Sequence, residues 1–475
     1  MTRIAGPGTA AAGTPLSGAA DRGTAPGSGG GVRAGPDPAV RVAVVGLGYI
    51  GLPTAACLAT GGLHVTGVDV NAGIVARVSR GEAPFAEPDL SIAVSGAVAM
   101  GRLTAVTEMP AADAYIIAVP TPFTASAAGG PGSTGEAGSA ASAGQPPAAD
   151  PKSDLRSVFA AAEAIAARLR GGEIIVLEST CPPGTTRKVS ELIAKLRPDL
   201  SLPHVPDTEP DVHIAHCPER VLPGRIMIEI AANDRVIGGL TPACAARAAD
   251  LYRTFCRGEL IITDAESAEM AKLAENAFRD VNIAFANELA LICGRLGLDV
   301  WEIRRISNRH PRVEILRPGP GVGGHCIAVD PWFIVESAPD LAPLIRAARA
   351  VNGQMPARVA GQIIATSRRF REPRIACLGL AFKADVGDLR ESPAAEIVRR
   401  VAAALPEVKI RAVEPHARQL PGSLADLGNV LLTGTADAIG DADIVALLVD
   451  HSRFRAIRKT QLAGKVVYDT RGMWS

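Results

Sequence analysis

The chain has 475 residues, with 49 Lys plus Arg against 49 Asp plus Glu, so it carries no formal net charge at neutral pH. That balance removes the basic footprint of a nucleic-acid or anionic-membrane binder and points to a small-molecule partner. No apolar run is long enough to span a bilayer, no basic-then-apolar leader opens the chain, and eight cysteines without a C-x-x-C pair exclude a disulfide framework. The expected setting is the cytoplasm, with no metal, no nucleic acid and no membrane contact.

Such a length predicts two or three domains. Residues 1–38 are mainly Gly, Ala, Pro, Ser and Thr, a composition that buries too little apolar surface to offset ordering entropy, so a disordered tail is expected. From position 41, "RVAVVGLGYIGLPTAACLA" reads as a β-branched strand, a glycine turn and an Ala/Leu-rich helix. That order is the context in which G-x-G-x-x-G binds a dinucleotide. Gly46 makes the tight turn, Gly48 lets a pyrophosphate approach the backbone, and Gly51 lets helix and strand pack closely. The run Gly46, Gly48, Tyr49, Ile50 and Gly51 is therefore assigned to the cofactor. An ordinary glycine-rich βα turn competes until the next strand, "HVTGVDVN", ends in Asp69, about 20 residues on. A carboxylate there accepts ribose hydroxyls and repels a 2′-phosphate, which selects NAD over NADP.

The strands "AYIIAVPTP" and "EIIVLESTCPPGTT" follow, and their ends put Thr121 and Thr180 at the ligand-binding edge of a parallel sheet. Between them, residues 124–150 form a Gly/Ala/Ser/Pro-rich insertion expected on the surface. After position 263 the apolar period becomes helical over many turns, which suggests a helix joining domains and forming a dimer interface. On it Lys272, Asn276 and Arg279 share one face, and apolar neighbours would partly desolvate the lysine. A solvated polar stripe is the competing reading. Strand and helix patterns then return in "RIACLGLAFK", "KIRAVEP", "DIVALLVDH" and "KVVYDTRGMW", without a second glycine fingerprint. The fold class expected is α/β, two Rossmann-like doubly wound sheets joined by a long central helix. Its domains are 39–240 for NAD, 241–360 central and helical with the catalytic loop, and 361–475 for the second nucleotide.

Cys326, in "GPGVGGHCIAVDP", follows two glycine pairs and precedes Asp330. Backbone N–H groups there could stabilise a thiolate or an oxyanion. Spacing alone also allows a buried structural cysteine. The dipeptides His216-Cys217 and His325-Cys326 raise zinc weakly, because adjacent residues on an extended segment point apart.

The motifs "GLGYIGLPTA", "VPTP", "EST", "CPERVLPG", "NDRVIGG", "AEMAKLAENAFRDVNIAFANELALIC", "NRHPRVEILRPGPGVGGHCIAVDPWFI", "GLAFKADVGDLRESPA" and "LVDHSRF" resemble the UDP-glucose/GDP-mannose 6-dehydrogenase family. Within it, "NRHPRV" and "GPGVGGHCIAVDPWF" look most like members acting on UDP-N-acetyl-D-mannosamine. The resemblance implies a two-step, four-electron oxidation of a UDP-sugar C6 hydroxyl to the uronic acid, serving surface polysaccharide synthesis. By the same resemblance Cys326 is the thiol nucleophile. Lys272 assists proton transfer, Asn276 holds an oxyanion, Asp330 assists thiol or water, and Glu219 activates the hydrolytic water. Arg220, Val221, Lys272, Asn276, Arg279, His310, Arg312, Gly323, Phe382 and Lys383 fall in motifs that contact the UDP-sugar, and Arg390 in one that reaches NAD. A homodimer is implied. The chain departs from the family pattern at Pro182-Pro183 and at Ala384, which touches loop geometry and no reactive group. Competing readings are a UDP-N-acetylglucosamine or UDP-glucose dehydrogenase, a two-electron β-hydroxyacid-type dehydrogenase, and a non-catalytic nucleotide-sugar regulator.

Overall fold

The computed structural model describes residues 40–85, 87–124, 150–324 and 326–474. The expected tail, the interior of the 124–150 insertion and His325 lie outside them. Fifteen strands occur among the described residues: β1 (Arg41–Val45), β2 (His64–Val68), β3 (Leu103–Val106), β4 (Ala114–Ile117), β5 (Phe123–Thr124), β6 (Lys152–Ser153), β7 (Ile174–Leu177), β8 (His213–His216), β9 (Arg235–Gly239), β10 (Leu260–Asp264), β11 (Ile375–Leu378), β12 (Ile410–Val413), β13 (Val430–Leu432), β14 (Ile444–Leu447) and β15 (Val466–Asp469).

Eight of these make one sheet in the order β10-β9-β8-β7-β4-β1-β2-β3, and five make a second in the order β13-β12-β11-β14-β15. All pairings are parallel except β8 with β9 in the first sheet and the two-residue ribbon β5 with β6. Parallel sheets carry helices on both faces, so their central strands read as continuous apolar runs. "IIVL" in β7, "IACL" in β11 and "IVAL" in β14 are buried at every position. The period of two survives inside those runs. Val42 and Val44 of β1 enter one core while Ala43 and Val45 enter the core on the opposite face. In β11, Ile375 and Cys377 divide from Ala376 and Leu378 in the same way.

The first sheet runs past residue 240, the expected end of the NAD domain. The helix Pro242–Tyr252 packs on it, and β10 pairs with β9 from Leu260↔Arg235 to Asp264↔Gly239. Asp264 then caps a 32-residue helix, Ala265–Leu296, its Oδ1 accepting the N–H of Ser267 at 2.7 Å. Gly297, at φ 71°, ends it in the left-handed conformation that a C-terminal cap requires. A second long helix, Pro343–Ser367, packs along the first and leads into the second sheet. Between these helices lie a short helix Val300–Ser307, the loop from Gly319, and a helix Asp330–Ser337 opened by Pro331. The two ends of the insertion are held: β5 pairs with β6, the Phe123 ring packs tilted against Phe333 with centroids 4.8 Å apart, and Asp150 pairs with Arg346 at 2.8 Å.

Candidate active site

At the carboxyl end of β1, Gly46 turns at φ 94°, and a Cβ there would lie 2.6 Å from the carbonyl oxygen of Ala118. Gly51 is equally constrained, since a Cβ would sit 1.9 Å from Gly46 O. Gly48 faces open space, with nothing within 4 Å of the Cβ position. The helix Gly51–Thr60 begins without a side-chain cap; Leu52 N–H goes to Gly48 O at 3.2 Å, Thr54 N–H to Ile50 O at 3.0 Å, and Pro53 has no N–H, so the donors for an anion are the N–H groups of the Gly48–Gly51 turn. Asp69 holds the turn from the next strand: Oδ2 accepts the N–H of Leu47 and Oδ1 that of Asn71, each at 2.9 Å. Each oxygen keeps a lone pair for a ribose hydroxyl. Tyr49 stacks on Phe85 at 4.2 Å, and the guanidinium of Arg390, from the far side of the cleft, lies 5.0 Å over its ring. An open cradle, the N–H groups of the Gly48–Gly51 turn and a half-buried carboxylate fit NAD.

Across the strand ends, Lys272 and Asn276 are buried on the long helix, although both are polar. Lys272 Nζ donates to Thr180 Oγ1 at 2.5 Å, and Thr121 Oγ1 donates to the carbonyl of Thr180 at 2.6 Å. Asn276 is held at both ends of its amide, donating Nδ2 to Asp330 Oδ2 and accepting from Arg279 Nη2 at Oδ1. Asp330 accepts from Asn276 and, through its own N–H, donates to the carbonyl of Cys326 at 2.8 Å. The loop thereby sets Cys326 opposite the Lys272, Asn276 and Arg279 face. Seven of the eight cysteines are buried or partly buried; Cys326 is exposed. Burial pushes the buried thiols of Cys57, Cys217 and Cys377 up to about 12. Crowding on its protein side pushes the Cys326 thiol up as well, but the Lys272 ammonium opposes that, Asp330 adds to it, and Arg279 opposes it. Asp330 is raised by burial, against the pull of Lys272, the Asn276 hydrogen bond and Arg279.

The second sheet supplies the opposite wall. A Cβ on Gly324 would lie 2.9 Å from the Phe382 ring, and one on Gly323 would lie 2.5 Å from the carbonyl of Glu391. Only glycine lets the Cys326 loop pass this close to the 382–391 segment. Lys383 is half-buried there, its ammonium lowered by burial against an opposing Glu229.

Other expected residues stand apart. Glu219 is buried with Oε2 2.5 Å from Arg235 Nη2, and its Oε1 accepts the N–H of Arg220 at 2.7 Å. Arg235 also faces Glu178 at 3.8 Å. Arg220 pairs with Glu275 at 2.5 Å and donates to the carbonyl of Asp234, with Val221 half-buried beside it. His310 and Arg312 are exposed, and His310 Nδ1 accepts the N–H of Arg312 at 3.3 Å. Sequence reasoning missed Glu269, one turn before Lys272. It accepts from Gly184 N at 2.5 Å, Thr186 N at 2.8 Å and Thr186 Oγ1 at 2.6 Å, pinning the Pro182-Pro183 turn that carries Thr180. Cys181, His216 and Glu269 bring ligand-type atoms within 4.8 Å. Both Glu269 oxygens are already engaged, however, so the group anchors a turn. The i, i+3 spacing of Glu269 and Lys272 was the available signal.

This division of labour, a dinucleotide cradle on one sheet and a second nucleotide-sized wall on another, is that of an α/β dehydrogenase acting on a nucleotide-linked substrate. The chain belongs to the UDP-glucose/GDP-mannose dehydrogenase family: residues 40–256 match its NAD binding domain, 266–354 its central domain and 376–475 its UDP binding domain. The cofactor is NAD, and the protein is an oxidoreductase of that family. An NDP-N-acetyl-D-galactosaminuronic acid dehydrogenase of Ralstonia nicotianae is 52% identical over 435 residues, covering 91% of this chain and 96% of its own. The UDP-N-acetyl-D-mannosamine dehydrogenase of Escherichia coli (strain K12) is 48% identical over 441 residues, covering 91% and 99%. Among solved structures, a UDP-D-ManNAc dehydrogenase from Pyrococcus horikoshii aligns with a TM-score of 0.76 at 33% identity, over 92% of this chain and 96% of its own. Among the described residues no helix is long and apolar enough to cross a membrane.

Proposed function

We propose that the protein oxidises the C6 hydroxyl of UDP-N-acetyl-D-mannosamine to the carboxylate in two steps, through a covalent bond to Cys326. The observation that carries this reading is the exposed thiol on a loop tied, through Asp330 and Asn276, to the helix face bearing Lys272. Gly46, Gly48, Tyr49, Ile50, Gly51 and Asp69 would hold NAD, with Thr121, Thr180 and Arg390 at its edge, and the bound cofactor would supply the hydride acceptor for both oxidations. Lys272 takes the C6 hydroxyl proton as the aldehyde forms. The Cys326 thiolate then adds to the aldehyde carbon, and the resulting oxyanion faces the Lys272 ammonium and the second Nδ2–H of Asn276. Oxidation of that thiohemiacetal gives a thioester. Water adds to the thioester carbon, its proton passing to Asp330 or Glu219, and the C–S bond breaks to release the acid and the thiolate. Arg220, Val221, Arg279, His310, Arg312, Gly323, Phe382 and Lys383 hold the UDP-sugar.

The 52% identical galactosaminuronic acid relative favours a second reading, a UDP-N-acetylhexosamine of the galacto series. NADH release against a panel of UDP-sugars separates the two. UDP-N-acetylmannosamine is expected to give the highest kcat/KM, and a higher value for UDP-N-acetylgalactosamine contradicts the first reading.

A homodimer is part of the proposal. Phe278, Phe285, Ile292 and Leu296 form an exposed apolar stripe at helical spacing along the long helix. Light scattering of Phe285→Asp is expected to give the mass of one chain where the parent gives two, and a dimeric variant removes this assignment.

A further inference from the structure

Four polar side chains are sealed between the two long helices: Asp280 at 0% exposure, Asn287 at 0%, Asn352 at 1% and Arg349 at 9%. They form one directed chain. Arg349 Nη1 donates to Asp280 Oδ1 at 2.6 Å, and Asn352 Nδ2 donates to the same oxygen at 2.8 Å and to the Asp280 carbonyl at 2.9 Å. Asn287 Nδ2 donates to Asn352 Oδ1 at 2.9 Å, and Asn287 Oδ1 accepts the N–H of Gly319 at 2.8 Å. Every amide orientation is forced, because flipping either asparagine sets donor against donor and acceptor against acceptor.

Buried polar groups of this kind are costly, and apolar side chains of similar volume commonly serve helix packing at least as well. What apolar residues could not do is bond Gly319, which opens the loop carrying Cys326. The chain's other end is Asp280, directly after Arg279 and one turn beyond Asn276 on the helix that bears Lys272. The network thus joins the two elements whose registry the chemistry needs, at a point distinct from the Asn276–Asp330 bond.

We propose that Asn287 and Asn352 are positioning residues for the reaction, fixing the Gly319–Asp330 loop so that Cys326 meets the C6 carbon opposite Lys272. The inference rests on the assignment of Cys326 as the nucleophile. A displacement of order 1 Å in such a group can cost about 10²-fold in rate.

The test uses the full chain with NAD and UDP-N-acetylmannosamine, or whichever UDP-sugar the panel selects. Asn287→Ala and Asn352→Ala are each expected to lower kcat by roughly ten- to hundred-fold, with KM for NAD changed by less than about two-fold. The double variant is expected to be no worse than the poorer single one, since one relay is cut. Asn287→Asp keeps volume and the bond to Gly319, and covers the case in which alanine prevents folding. Its carboxyl is sealed against the Asn352 amide, with Asp280 and Arg349 an ion pair beyond that amide, so burial raises it well above an ordinary carboxyl. The protonated form restores both donor and acceptor; the ionised form has no donor for Asn352. The ratio of variant to parent kcat is therefore expected to rise as pH falls from about 9 to about 6. Unchanged kcat per folded enzyme in the alanine variants, or a ratio flat with pH in Asn287→Asp, overturns the proposal. Failure of the underlying reading shows differently, as acid formation by Cys326→Ala, and removes both.

Discussion

At the end of β1 Gly46 turns at φ 94° and its N–H donates to Val68 O at 2.7 Å; at the end of β11 Gly379 turns at φ 91° and donates to Val413 O at 2.8 Å. The next residue in each case gives its N–H to an acid from the neighbouring strand, Leu47 to Asp69 at 2.9 Å and Leu380 to Glu414 at 2.8 Å. The two turns are built alike and then diverge. In the first sheet the helix begins at Gly51 without a side-chain cap, and Asp69 stays half-exposed. In the second, the chain runs through Asp385 and Glu391, both at positive φ, before a helix from Pro393 that Ser392 caps itself. Glu414 is sealed: besides Leu380 and Ala381 it takes the buried His451 Nε2 at 3.1 Å, while His451 Nδ1 accepts the N–H of Asp385 at 3.0 Å. A shared turn therefore does not mean a shared ligand. The first sheet leaves the donors of its glycine turn and an acid open to a dinucleotide, whereas the second uses its acid to shape the loop bearing Phe382 and Lys383.

Substitutions at equivalent points should separate the two sheets. Gly46→Ala forces a side chain into positive φ and against the Ala118 carbonyl, a cost of about 1–3 kcal/mol. If that cost falls on cofactor binding, KM for NAD rises roughly ten- to hundred-fold, while calorimetric binding of UDP stays unchanged. Asp69→Asn keeps an acceptor for Leu47 but removes the charge that opposes a 2′-phosphate. Preference for NAD over NADP in steady state should fall by about ten-fold, with UDP binding again unaffected. Glu414→Gln reverses the pattern: an amide accepts at one end only, so its NH2 meets either the His416 N–H or the donors of Leu380, Ala381 and His451, which loosens the 380–385 loop, raising KM for the UDP-sugar by roughly three- to ten-fold and leaving KM for NAD in place. The smallest effect concerns the cleft between the sheets. The Cys326 thiol is raised by crowding on its protein side and lowered by Lys272, so alkylation by iodoacetamide should speed up with pH over a midpoint above the ordinary thiol value. Lys272→Met removes the opposing cation and shifts that profile further up. Asp330→Asn removes a carboxylate that raises the thiol and shifts it down. Each shift changes the rate near pH 8 by a few-fold.

Much of the cradle was legible, because the glycine spacing, the strand before it and Asp69 after it are local in sequence and mechanically required. The long helix was legible from its period, and Lys272, Asn276 and Arg279 from their offsets on it. The second sheet's Glu414 was not: without glycines after it, a strand-end acid carries no mark of what it bonds. Asn287 and Asn352 were hidden for a related reason. Their meaning lies in a contact 65 residues apart in sequence, and an asparagine on a helix reads as surface until its partner is placed. Glu219 was legible as a motif position, but its ion pair with Arg235, 16 residues on, was not.

The central claim, a four-electron oxidation through Cys326, is tested most directly by counting NADH per UDP-N-acetylmannosamine consumed, in the parent and in Cys326→Ala. The account predicts two NADH per sugar with the uronic acid as product for the parent, and no acid from a folded Cys326→Ala protein. One NADH per sugar, or two from the variant, would contradict it.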